Sequence, residues 1–83
     1  MKTVAGEPVD QPVGAAGRRG PLGRLTPRER DVLALVARGL TDAAIAGRLG
    51  IAEATVHKHL EHVYRKLSVT NRVSATITWL ASA

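Results

Sequence analysis

Residues 55–67 read TVHKHLEHVYRKL, and at the 100° per residue of an α-helix this run divides into two opposed faces. Val56, Leu60, Val63, Tyr64 and Leu67 share one arc. The opposite arc holds Ala54, Lys58, Glu61 and Arg65, with His57 and His62 at its edges. A helix so divided must lay its apolar side on other elements, and the rest of the chain has to supply the matching surface. The composition limits what that surface is made of. Tyr64 and Trp79 are the only aromatic residues and there is no Phe, so the core has to be built from Leu, Val, Ile and Ala, as in small helical bundles. The chain has 83 residues, enough for one small domain. A domain of that size buries only about 60% of its unfolded surface, which disfavours a deep active-site cleft.

Three further helices are written around this one. In LTPRERDVLALVARGL, Thr26 is placed to cap a helix, Pro27 stands at its first position and Glu29 completes a capping box. Val32, Leu33, Leu35 and Val36 form an apolar face, and Gly39 supplies the left-handed stop. In TDAAIAGRLG, Thr41 is the cap and Asp42 adds an anion to the first turn. Ile45 and Leu49 lie four apart, Gly50 ends the helix, and Gly47 falls off the apolar line, on an exposed side. The amphipathic helix itself is predicted over residues 53–67. A fourth, in VTNRVSATITWLASA, is capped by Thr70 or Asn71; Val73, Ile77 and Leu80 lie on one side, with Trp79 about 100° away beside Ala75 and Arg72. The expectation is an all-α fold, a small four-helix bundle containing a helix-turn-helix.

Residues 1–24 have a different texture. They hold five of the eight glycines and three of the four prolines and almost no large aliphatic side chain, so they read as a flexible arm or interdomain linker ahead of a domain over residues 25–83. The arm carries a net charge of +2 (four basic against two acidic residues) and the remainder +3 (eight against five), within a total of +5 and a pI near 10.8. Such a balance suits a polyanionic partner or simply a soluble basic surface. There is no apolar segment of signal-peptide type near Met1, and the run from Val32 to Ala37 is too short to span a bilayer, so no membrane association is expected and a cytoplasmic location is. The absence of Cys removes disulfides and thiolate metal sites. His59 and His62 are three apart but lack the further ligands that zinc requires, so neither metal nor cofactor is expected. Ser68, Ser74 and Ser82 lie on other faces without a carboxylate to orient a base, and no catalytic set emerges.

Two helices joined by a Gly-containing turn, the second polar on its outer face, form the arrangement whose second helix enters the DNA major groove. The ordered motifs LTPRE, VLALVARG, IAGRLGI, TVHKH and KLSVTNR, followed by Ala75, resemble the C-terminal DNA-binding domain of the LuxR/NarL/FixJ regulators over residues 25 to about 75. That resemblance implies a four-helix effector domain of a transcriptional regulator. It also implies double-stranded promoter DNA as partner, a homodimer through the fourth helix, and a receiver or ligand-binding domain elsewhere if the chain is a fragment. Three departures from the family pattern stand out. Asp42, Ala43 and Ala44 replace Asn, Lys and Glu, Ala52 replaces a capping Ser, and His57 replaces a Lys, the charge having moved to Lys58.

On this reading Lys58, Glu61 and His62 read bases, with His57 and Ala54 at the edge: Lys58 can donate to guanine O6 or N7, and Glu61 can accept from cytosine N4. Thr41, Thr55, Arg65, Lys66 and Arg48 are the phosphate candidates. Trp79, Ala75 and Thr76, with Arg72, are the dimer candidates, while Trp79 could instead close the core. Glu29 and Arg72 are expected to stabilise the fold as a pair between the first and fourth helices. Glu61 could also form a surface ion pair with Arg65 or Lys58. Two other readings are a sigma-factor helix-turn-helix, against which the KLSVTNRVSA tail argues, and an interaction module that has lost DNA binding.

Overall fold

The computed structural model describes residues 20–82, so the proposed arm lies outside the described residues up to residue 19. A 3-10 turn over Pro21–Arg24 leads into α1 (Pro27–Ala37), α2 (Asp42–Leu49), α3 (Glu53–Leu67) and α4 (Arg72–Ala81), with no strand among the described residues. The all-α expectation holds, and the long helix has the bounds predicted for it.

Each start and stop has a local cause. Thr26 Oγ1 accepts from the Glu29 amide at 3.1 Å while Glu29 Oε1 accepts from the Thr26 amide at 3.0 Å, the reciprocal capping box. Thr41 Oγ1 caps α2 through the Ala44 amide at 3.1 Å, and Asn71 Oδ1 caps α4 through the Ser74 amide at 2.8 Å. Only α3 starts without a side-chain cap, at Ala52. Gly50 ends α2 at φ 70°, and its freedom there sets up the tight link into α3. Ser68 ends α3 at φ 58°, a left-handed position that the sequence fills with a residue carrying a Cβ.

α1 is the axis of the packing: it lies against both α3 and α4, while α2 packs on α3. Leu33, Ile45, Val32, Val56 and Val63 are the largest fully buried side chains, and every helix except α4 supplies at least one. From α4 the buried residue is Ala75, with Trp79 half-buried against the cluster. Removing one large aliphatic from such a core, as in Leu33→Ala, costs about 2–5 kcal/mol.

Three expectations are corrected. The domain begins before residue 25, because Leu22 sits in the core and its carbonyl accepts from Arg30 at 2.9 Å. One apolar side chain and a Pro that pre-sets the turn suffice to order the end of the supposed arm. Glu29 and Arg72 do not pair with each other: Glu29 meets Lys66 of α3, and Arg72 meets Asp42 of α2. Finally, Ala75 is completely buried, so that edge of α4 faces the core, and Val73, Ile77 and Leu80 face outward with exposures of 67%, 60% and 61%.

Candidate nucleic-acid interface

The link from α2 to α3 is closed by the Gly50 amide donating to Ala46 and by the Ile51 amide donating to the same carbonyl at 3.0 Å. A second device holds the two helices together through side chains. Arg72, the first residue of α4, donates to Asp42 Oδ1 at 2.6 Å and to the Leu40 carbonyl at 2.8 Å. The other oxygen of Asp42 lies 2.6 Å from His57 Nε2, in the second turn of α3. Asp42 thus joins the starts of α2 and α4 to the outward face of α3. In the sequence alone Asp42 is only an anion favoured by the helix dipole.

The outward face of α3 is as the periodicity predicts. Ala54, Thr55, His57, Lys58, Glu61 and Arg65 are exposed, and so are Thr41 and Arg48 on the α2 side. Lys58, Arg65 and Arg48 have no hydrogen-bonding or ionic partner among the described residues. Glu61 makes no ion pair among them either, so neither the Arg65 nor the Lys58 pairing is formed. Thr41 spends its hydroxyl on the helix cap, and His57 is engaged by Asp42.

Two site candidates turn inward. Lys66 Nζ lies 2.7 Å from Glu29 Oε1, and His62 Nδ1 lies 3.5 Å from Glu29 Oε2. Glu29 is itself only 3% exposed. Burial pushes its carboxyl upward, but hydrogen bonds from Lys66 and the Thr26 amide, with the charges of Lys66 and His62, outweigh that and hold its pKa below the ordinary 4.5. Lys66 is therefore the counter-ion of a buried carboxylate, and His62 is half-buried beside it. The period of the helix put both near the polar arc, and what it could not show is that α1 presents Glu29 to their edge of it.

On α4, Arg72 and Thr76 line a shallow depression with Val36, Val73 and Ile77, about 250 Å³ in volume. Of the dimer candidates, Ala75 is unavailable and Trp79 contributes to the core; the apolar surface beside them belongs to Val73, Ile77 and Leu80.

A three-residue turn between short and long helices, both backed by α1, with a polar, charged outer face on the second, is a helix-turn-helix module on a four-helix frame. Residues 23–79 match the family model described as bacterial regulatory proteins, luxR family, and the chain belongs to that family. The nitrate/nitrite response regulator NarL of Escherichia coli K12 is 48% identical over 54 residues, which are 65% of this chain and 25% of that protein. The probable HTH-type transcriptional regulator GfsR of Streptomyces halstedii is 39% identical over 81% of this chain and 28% of its own. Among solved structures, that of the response regulator StyR superposes with a TM-score of 0.66 and 41% identity, covering 71% of this chain and 30% of StyR. The chain thus spans about a quarter of the length of these regulators. No helix among the described residues is long and apolar enough to cross a membrane.

Proposed function

We propose that this chain is the effector domain of a bacterial transcriptional regulator and binds double-stranded promoter DNA, with α3 in the major groove. The carrying observation is the set of exposed cations without partners among the described residues, Lys58 and Arg65 on α3 and Arg48 on α2, with α3 braced from behind by α1 and α2. A groove about 12 Å wide admits one helix, and unpaired cations on its outer face replace phosphate counterions. Lys58 and Glu61 read base edges; Arg65, Arg48 and Thr55 meet the backbone. A homodimer through α4 accompanies this reading. Val73, Ile77 and Leu80 give it an apolar stripe at helical spacing, and two copies would place their recognition helices about 34 Å apart on one side of the duplex. The site of action is the bacterial cytoplasm, and, if the chain is a fragment of a longer protein, a receiver or ligand-binding domain regulates the module.

Selection from randomised duplex DNA, with the enriched site then titrated at two salt concentrations, tests the reading. A two-fold symmetric motif whose affinity falls steeply with salt supports it. Arg65→Ala should weaken all sites alike and reduce the salt slope by about one per copy, whereas Lys58→Ala should relax preference at one position per half-site. Identical effects of the two would remove the groove assignment. Salt-insensitive association with protein and no enrichment would favour an interaction module.

A further inference from the structure

We propose that Arg72 is a positioning residue for paired DNA reading: by tying the start of α4 to α2 it fixes where each α3 stands relative to the two-fold axis, and so which half-site separation the dimer accepts. This rests on the DNA-binding and α4 association readings above. Arg72 is the first residue of α4, where the helix dipole disfavours a cation, and no acidic residue in that first turn offsets it. Its charge is answered from α2 instead. Nη1 donates to Asp42 Oδ1 at 2.6 Å and Nη2 to the Leu40 carbonyl at 2.8 Å. A guanidinium holds its donors in a rigid plane, so bonds to two different groups fix both the position and the tilt of the helix that carries it. One acceptor belongs to the first turn of α2 and the other to the link between α1 and α2.

The rest of α4 is held without direction. It packs on α1 and α3 through buried Ala75 and half-buried Trp79, and apolar packing by itself resists sliding and rotation weakly. Among the described residues no other side-chain hydrogen bond or ion pair joins α4 to another helix: Asn71, Thr78 and Ser82 bond within their own neighbourhood. From Asp42 the connection runs on through α2 and the closed turn, where the Gly50 and Ile51 amides both meet the Ala46 carbonyl, into α3. At its other end Arg72 lines the α4 depression with Val73, Thr76 and Ile77, at the edge of the surface proposed for association. The bracket is therefore the one directional link between the surface that pairs two copies and the helix that each copy inserts. Half-sites about one helical turn, or 10–10.5 base pairs, apart present their grooves on one side of the duplex, and each added base pair shifts and rotates the second groove. A stiff frame refuses that shift, and a frame without the bracket follows it.

The test uses symmetric duplexes built from the enriched half-site, their centre-to-centre separation stepped one base pair at a time through about one helical turn. They are titrated with the full chain, Arg72→Gln, Asp42→Ala and the double variant, beside a duplex carrying a single half-site. The full chain is expected to favour one separation. Each single variant should narrow that preference by about five-fold or more, the lower end of coupling between linked sites. The double variant should narrow it no further than the more affected single, because both changes remove one bracket. Arg72→Gln, which leaves the outward face of α3 untouched, should keep its affinity for the single half-site within about two-fold, less than the loss of one hydrogen bond at the DNA. A separation preference that survives in both single variants overturns the proposal. So does one lost only in step with single-site affinity, or loss of helical circular dichroism in both variants without DNA, either of which makes the bracket a prop of the fold. Half-site reading with no preferred separation in the full chain overturns the proposal together with the α4 dimer, and leaves groove reading standing. No enrichment of any duplex overturns the DNA reading itself.

Discussion

At the scale of single residues, the cations sort by whether a carboxylate has already claimed them. Lys66 has Glu29 at 2.7 Å and Arg72 has Asp42 at 2.6 Å, while Lys58, Arg65 and Arg48 have none among the described residues. Lys66→Ala should therefore act on stability, costing about 1–3 kcal/mol by stripping a buried carboxylate of its main donor. Urea unfolding would show it as a lower midpoint at unchanged slope, before any DNA is added. The acid behaviour of Glu29 has a definite sign. Its folded pKa lies below 4.5, so the unfolded chain binds the extra proton in that window, and the stabilisation is complete above about 4.5 and lost as pH falls through the lowered value. Glu29→Gln should flatten that part of the stability profile, measured as unfolding midpoint against pH. Neither pair was legible in the sequence. Helical period assigns a residue to a face of its own helix, but the partner of Lys66 stands 37 residues away on α1, and only the packing brings it there.

At the scale of elements, the sequence carried most of the information because helix ends are local chemistry. Thr26 with Glu29, Thr41 and Gly50 each act within a few residues of themselves and do in the structure what their spacing predicts, and of the two caps the sequence leaves open for α4 it is Asn71 that serves. The orientation of α4 was the part that spacing could not decide. Val73, Ile77 and Leu80 make the stronger apolar stripe, yet Ala75 and Trp79 face inward, since a small residue lets α4 approach α1 closely. The uncapped start of α3 is the weakest of the four. Ala52→Ser should supply the missing acceptor and add about 0.5–2 kcal/mol, seen as a higher melting temperature by circular dichroism.

At the scale of the whole molecule, one rod organises both surfaces: α1 backs α3, which carries the polar, charged face, and α4, which carries the apolar stripe. The proposed association through α4 can be tested without touching the core because the stripe is exposed. Ile77→Asp should weaken self-association by about ten-fold or more, by burying an unpaired charge at the interface, and leave the helical circular dichroism of the monomer intact. Sedimentation equilibrium would measure it, and an unchanged dimer constant would move the interface elsewhere on the surface.

The contact between Asp42 and His57 also bears on how such a module acquires new targets. Lys58, Glu61 and Arg65 are independent dials, exposed and without ionic partners among the described residues, so each can be exchanged while the frame stays as it is. His57 is not independent: a change there leaves one oxygen of Asp42 unengaged, a negative charge at the edge of the face proposed to meet DNA. Re-targeting this protein, by natural drift or at the bench, would therefore proceed one substitution at a time along most of α3 and require a coupled pair at positions 42 and 57.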